Sequence, residues 1–185
     1  MLVGGKGLIP SKRLHRMDAD KKPQVGFHVP VDNRELLAAL GEISLRHGHI
    51  DHAMKLLIKT FSDVTIQEAM DATARESSWT LRDWVKKLAR DKLGRGPELV
   101  KVQALLERAG RITERRNALV HILCGKDQDG NPVAATEDLT VWKPLPTVDD
   151  LNSLSEDMEA LRRDISKARN KTGFITLALL DRKLA

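Results

Sequence analysis

From Asp32-Asn33 onward the chain places apolar residues at Leu36, Leu40, Ile43, Ile50, Met54, Leu57 and Phe61, with His47 in register between them, at spacings that alternate between three and four. That rhythm is one face of a long helix. Asp32 or Asn33 can cap it, and Glu35 suits its first turn. A histidine on such a seam is ordinarily a core residue with its hydrogen bonds satisfied, and less often part of a site or an interface. Thr65 followed three residues later by Glu68 forms a capping-box pattern and predicts a short helix over 65–74. Ser77-Ser78 opens the next helix, where Leu81, Trp84, Val85 and Leu88 gather on one side as far as Leu93. Gly94-Arg95-Gly96-Pro97 stops it, and Pro97 fits the first turn of a further helix.

That further helix is predicted from about Glu98 to Cys124, with Leu105, Ala109, Ile112, Arg116, Leu119 and Leu123 in one stripe and Gly125 as its left-handed cap. An arginine thus occupies a seam position. The run Lys126 to Pro132 is turn-forming, and Val133 to Trp142 reads as a short ribbon or an extended loop. Thr147 with Asp150 opens another helix, in which Leu151, Leu154, Met158, Leu161 and Ile165 form the buried stripe. The apolar segment Phe174 to Leu180 either packs back as a last helix or covers a neighbouring subunit. The expected fold is an all-α bundle of about five helices over residues 32–185, with a short β-ribbon or long loop before the penultimate helix.

Residues 1–31 break the pattern. Gly4-Gly5, Gly7, Pro10, Pro23, Gly26 and Pro30 interrupt any period, which predicts an extended or disordered arm, basic from Lys12-Arg13 to Lys21-Lys22. With 185 residues the chain suits one domain plus such a tail. One cysteine, Cys124, excludes an intrachain disulfide and argues against a thiolate zinc site, so a reducing, cytoplasmic setting is expected. No run approaches the roughly 18 apolar residues of a membrane helix. The net charge of +5 permits anionic partners. Aromatic residues make up only 3% of the chain, too few for the stacking sheets and barrels that bind single-stranded nucleic acid.

The chemistry concentrates in Glu114-Arg115-Arg116-Asn117-Ala118-Leu119-Val120-His121, near a helix end. A guanidinium offers a planar, permanently charged fork that can neutralise charge building on a phosphorane. Histidine titrates near neutrality and can move the proton of a ribose hydroxyl or of a leaving oxygen. Asn117 and His121 are four apart and share a helix face, whereas Arg116 lies about 100° to the side. Two copies of the helix across a symmetry axis would complete what one straight helix leaves divergent. The bland alternative is that Arg116 pairs with an acidic residue of another helix while Asn117 and His121 bond a loop. His49 and His52, with Asp51 between them, have the spacing to share a metal ion but lack a further ligand in register, so no metal and no cofactor is expected. Cys124 follows an apolar run and reads as a buried small hydrophobe rather than a nucleophile.

The segment Arg116-Asn117-Ala118-Leu119-Val120-His121 resembles the signature of the HEPN superfamily: an arginine, a polar residue that is often asparagine, three to five further residues and a histidine. The likeness extends over about residues 33–170, through the long first helix with its histidine-bearing seam and the Thr-x-x-Asp-capped helix near the end. It implies a helical bundle and a homodimer whose paired motifs form a metal-independent endoribonuclease site. There Arg116, Asn117 and His121 would be catalytic, the 2′-hydroxyl attacking the adjacent phosphate to leave a cyclic phosphate. It also implies RNA as partner and, for toxin-like or defence-related members, a neutralising protein. Other members of the superfamily are inactive RNA-binding or protein-interaction modules, so that alternative stays open. Independently of the likeness, a charged Arg116 on an apolar stripe calls for a covering partner, and a two-fold interface along this helix would supply one.

Overall fold

A computed structural model describes residues 33–121, 123–126, 132–135 and 142–184. The arm expected over 1–31 lies outside them. Helix α1 spans Arg34–Ser62, α2 Ile66–Ala72, α3 Ser78–Leu93 and α4 Pro97–Val120. Three short strands follow, β1 Leu123–Lys126, β2 Pro132–Ala135 and β3 Trp142–Pro144, and then α5 Val148–Arg169 and α6 Phe174–Leu184. The protein is an all-α helical bundle carrying one small antiparallel sheet.

The ends of the helices form where local chemistry calls for them. The Asn33 side chain accepts from the Leu36 N–H, and the Ser77 side chain from the Thr80 N–H. Thr65 with Glu68 and Thr147 with Asp150 each make a reciprocal capping box, satisfying two backbone donors that a helix start otherwise leaves open. Asp63 ends α1 in the left-handed conformation (φ 58°), which a short polar side chain tolerates. Gly94, between α3 and α4, has φ 59°, and a Cβ there would stand 2.7 Å from the Arg182 guanidinium. Only glycine suits that corner without both strain and overlap.

Helix α1 is the axis of the bundle: α5, α3, α2 and α4 all pack against it, and α6 closes over α5, α3 and α4. Of the predicted α1 seam, every residue but Leu40 is buried, joined by Ala39, Ala53 and Ile58. Opposite it the α5 stripe Leu151, Leu154, Met158, Leu161 and Ile165 is completely enclosed. Ile175 anchors α6 in the same core, so the C-terminal apolar segment packs on its own chain, although Leu177, Leu180 and Leu184 keep exposed faces.

Two expectations change. Helix α4 ends at Val120 with His121 as its cap, rather than running through Cys124 to Gly125. Leu123-Cys124-Gly125-Lys126 is instead β1, which pairs antiparallel with β2, Gly125 opposite Val133; β2 in turn pairs with β3, Ala134 opposite Lys143. Pairing with β2, which begins only six residues after β1 ends, supplies the backbone partners that a further helical turn would have supplied, and overrides the local apolar period. The α4 stripe also differs in its cover. Of the predicted stripe Ala109 and Ile112 are buried, joined by Val102 and Leu106, while Leu105 is half-buried; these buried positions are covered within one chain and need no second copy.

Candidate functional site

The last turn of α4 presents the motif at a solvent-facing corner. Arg116 Nη1 donates to Asn117 Oδ1 at 3.0 Å, and the His121 backbone N–H donates to the Asn117 carbonyl at 3.1 Å. Asn117 and His121 are exposed, while Arg116 is half-buried. Arg116 and Asn117 thus join through their side chains in the last turns of α4, while His121, the exposed cap of the same helix, is tied to Asn117 through the backbone. The preceding Arg115 points elsewhere and pairs with Asp157 of α5 at 2.8 Å.

Beneath Arg116 lies a polar cluster in which α1, α3 and α4 meet. His47 of α1 is only 8% exposed. Its Nδ1 stands 3.6 Å from Asp51 Oδ2, beyond hydrogen-bonding distance. Asp51 is one turn further along α1 and accepts a 2.9 Å bond from the Ser78 hydroxyl at the start of α3. Arg82, a turn beyond Ser78, donates from Nη1 to Thr113 Oγ1 on α4 at 3.1 Å, and the Thr113 hydroxyl donates in turn to the Ala109 carbonyl at 2.8 Å. A Cβ at Gly110 would come no nearer than 4.0 Å to Arg82 Nε, so the crossing does not depend on glycine there.

Two buried nitrogens in this region have no hydrogen-bond partner among the described residues: Nε2 of His47 and Nε of Arg116. The satisfied core histidine expected at position 47 is therefore not what the fold contains. Burial pushes the His47 imidazole below its ordinary value, against the pull of Asp51, and the Arg116 and Arg82 charges push it down further. Its neutral form is the stable one here. Arg82 is also shifted downward by burial, with Asp51 and Glu114 opposing the shift.

No family model, curated protein or solved structure matches the chain. The site accordingly rests on its own geometry. Against the metal reading, His49 and His52 are exposed and line a separate shallow pocket between α1 and α5, whereas Asp51 turns the other way toward His47 and Ser78. Glu159, the nearest further carboxylate in that pocket, is held by Arg162 through bonds of 2.8 and 2.7 Å, which keep its acid well below the usual range, at about 2. Among the described residues no three His, Cys, Asp or Glu side chains stand together as a metal site. Cys124 lies in β1.

The residues not anticipated are Asp51, Ser78, Arg82 and Thr113. Asp51 carried a signal, being four residues after His47 and so on its face. The other three come from different helices and depend on how α3 crosses α1 and α4. Among the described residues no helix is long and apolar enough to cross a membrane.

Proposed function

We propose that the chain is a metal-independent endoribonuclease acting through a composite site built from two copies of the α4 end. What supports this is the Arg116–Asn117 hydrogen bond at the end of α4, with the exposed His121 as the cap of that helix, so that a fork, an amide and an imidazole lie within six residues at one solvent-facing end. Arg116 neutralises the charge that builds on phosphorus, and Asn117 steadies the guanidinium and offers its amide N–H groups to a phosphate oxygen. One His121 accepts the 2′-hydroxyl proton as that oxygen attacks phosphorus. Its counterpart in the second copy donates a proton to the departing 5′ oxygen as the P–O5′ bond breaks. The products are a 2′,3′-cyclic phosphate and a 5′-hydroxyl end.

The self-covered apolar part of α4 moves the proposed two-fold contact to its last turns. Exposed Ala118 and half-buried Leu119 and Val120 flank the motif there. In light scattering the wild-type chain is expected at twice 20.7 kDa, and Ala118→Glu at the single-chain mass with cleavage lost. The direct test is incubation of purified protein with single-stranded RNA in chelator. Cleavage should persist, and fall by about 10²- to 10⁴-fold in His121→Ala and Arg116→Ala variants whose helical circular dichroism is unchanged. Cleavage that tracks added magnesium, or full activity in both variants, overturns the assignment in favour of a binding module.

A further inference from the structure

A groove of about 430 Å³ runs between α3 and α4, outside the motif's own turn. Its α3 wall carries Trp79, Arg82, Lys86 and Arg90, at spacings of three, four and four, which is one edge of the helix over roughly 16 Å. Its α4 wall carries Glu107 and Glu114. Trp79 is 68% exposed, a large apolar face left in water in a chain with only three tryptophans. The nearby Asp83 carboxylate is taken up by Lys87 at 2.8 Å. Among the described residues neither Lys86 nor Arg90 has an ion-pair partner.

The groove is therefore polarised across its width, cationic and aromatic on one side and carboxylate on the other. An acidic peptide would meet repulsion from α4, and a basic one from α3. A single polynucleotide strand has the matching asymmetry. Its phosphates suit the cations, a base can stack on an indole, and exocyclic amines of adenine, cytosine or guanine donate to carboxylates. Uracil and thymine lack that amine, and their one N3–H donor is flanked by two carbonyl oxygens that the carboxylates repel. The groove also leads somewhere: α3 and α4 run antiparallel through the Gly94–Gly96 corner, and the Arg82–Thr113 bond sets the Trp79 end level with the Glu114–Asn117 turns.

We propose that the α3–α4 groove is a binding track for single-stranded RNA rich in amine-bearing bases, with Trp79 as the stacking platform and Lys86 and Arg90 as phosphate contacts. The choice of RNA over DNA, though not the groove's affinity for a strand, rests on the function proposed above.

The experiment uses the full chain and ten-nucleotide 2′-deoxy oligocytidine and oligothymidine, which have no 2′-hydroxyl and cannot be cleaved by that route, so binding is measured whether or not the protein is a ribonuclease. Oligocytidine should bind saturably with quenching of tryptophan fluorescence, more tightly than oligothymidine, and the matching RNA at least as tightly as the DNA. Trp79→Ala should weaken binding roughly five- to a hundredfold and abolish most of the quenching. The Lys86→Ala, Arg90→Ala double variant should flatten the dependence of log affinity on log salt by about 1.4. All these residues are exposed, and unchanged circular dichroism confirms the variants fold. The proposal fails if no saturable binding occurs below about 100 μM, if binding survives both sets of variants because the basic arm carries it, or if thymidine equals cytidine. A tighter grip on DNA than on RNA overturns the choice of RNA. Binding without RNA cleavage overturns the proposed activity and leaves the track intact.

Discussion

Replacing His47 by leucine should stabilise the fold, and more so in acid. The imidazole sits on the buried α1 seam between Ile43 and Ile50, with Nε2 unpartnered and Nδ1 too far from Asp51 for a good hydrogen bond. An unsatisfied buried polar atom costs about 1–3 kcal/mol. Leucine removes that cost and suits the apolar neighbours, at the expense of the weak Asp51 contact, so a net gain of about 1–2 kcal/mol is expected at pH 8. For a bundle of this size that is a rise of roughly 0.5–1 M in the urea midpoint. The pH dependence follows from the downward shift of the imidazole. A histidine whose folded value lies below its unfolded value, near 6.5, binds protons more readily when unfolded. Wild-type stability is therefore fully present above pH 6.5 and falls as the pH drops from there toward the folded value, by up to about 1.4 kcal/mol per pH unit. The leucine variant lacks this loss. The measurement is a pair of urea curves at pH 8 and at pH 5. A variant less stable than wild type by more than about 1 kcal/mol at pH 8, or one with the same pH response, would refute the reasoning and make His47 an ordinary satisfied core residue.

Gly41 and Gly48 lie within α1 with open space where a Cβ would go, so Gly41→Ala and Gly48→Ala should each raise stability by about 0.5–1 kcal/mol in thermal melts. At Gly173 a Cβ would collide with the carbonyls of Lys167 and Ala168, and Gly173→Ala should cost about 1–3 kcal/mol and loosen α6, read by faster amide exchange in Phe174–Leu184. Glu159, held at about 2 mainly by its hydrogen bonds to Arg162, contributes stability above its unfolded value near 4.5 that is lost as the pH falls from there toward 2. Because the pair is largely solvated the amount should stay below about 1 kcal/mol, and carbon-13 titration of Glu159 in an Arg162→Ala variant should return its midpoint toward 4.5.

The helices were legible wherever periodicity and capping agreed. The α1 seam, the two capping boxes and the α5 stripe depend only on residues three or four apart, and each appears at or within a few residues of its expected place. The end of α4 was not legible because Leu123 and Cys124 keep the helical period while their backbone pairs with Ala135 and Ala134 of the next strand, an antiparallel pairing that competes with the helix over the same residues. Within the candidate site, the placing of Arg116, Asn117 and His121 at the end of one helix could be read from the sequence, whereas the Arg116–Asn117 side-chain bond could not. The orphaned nitrogens beneath them could not, since burial of His47 and Arg116 without partners follows from how α1, α3 and α4 close over one another. Nor could the cover of Ile112, which α4 finds within its own chain.

The central place of α1 has a consequence for how the molecule is made. A ribosome completes α1 early, yet its most extensive neighbour, α5, emerges only after α2, α3, α4 and the sheet have been synthesised. At ordinary elongation rates that delay is on the order of ten seconds. During it, the seam from Leu36 to Phe61 is only partly covered and is open to chaperones or to other nascent chains. Cooperative closure waits for a contact that is distant in sequence, which slows folding for a helical protein and makes the synthesis of α5 the step on which solubility turns.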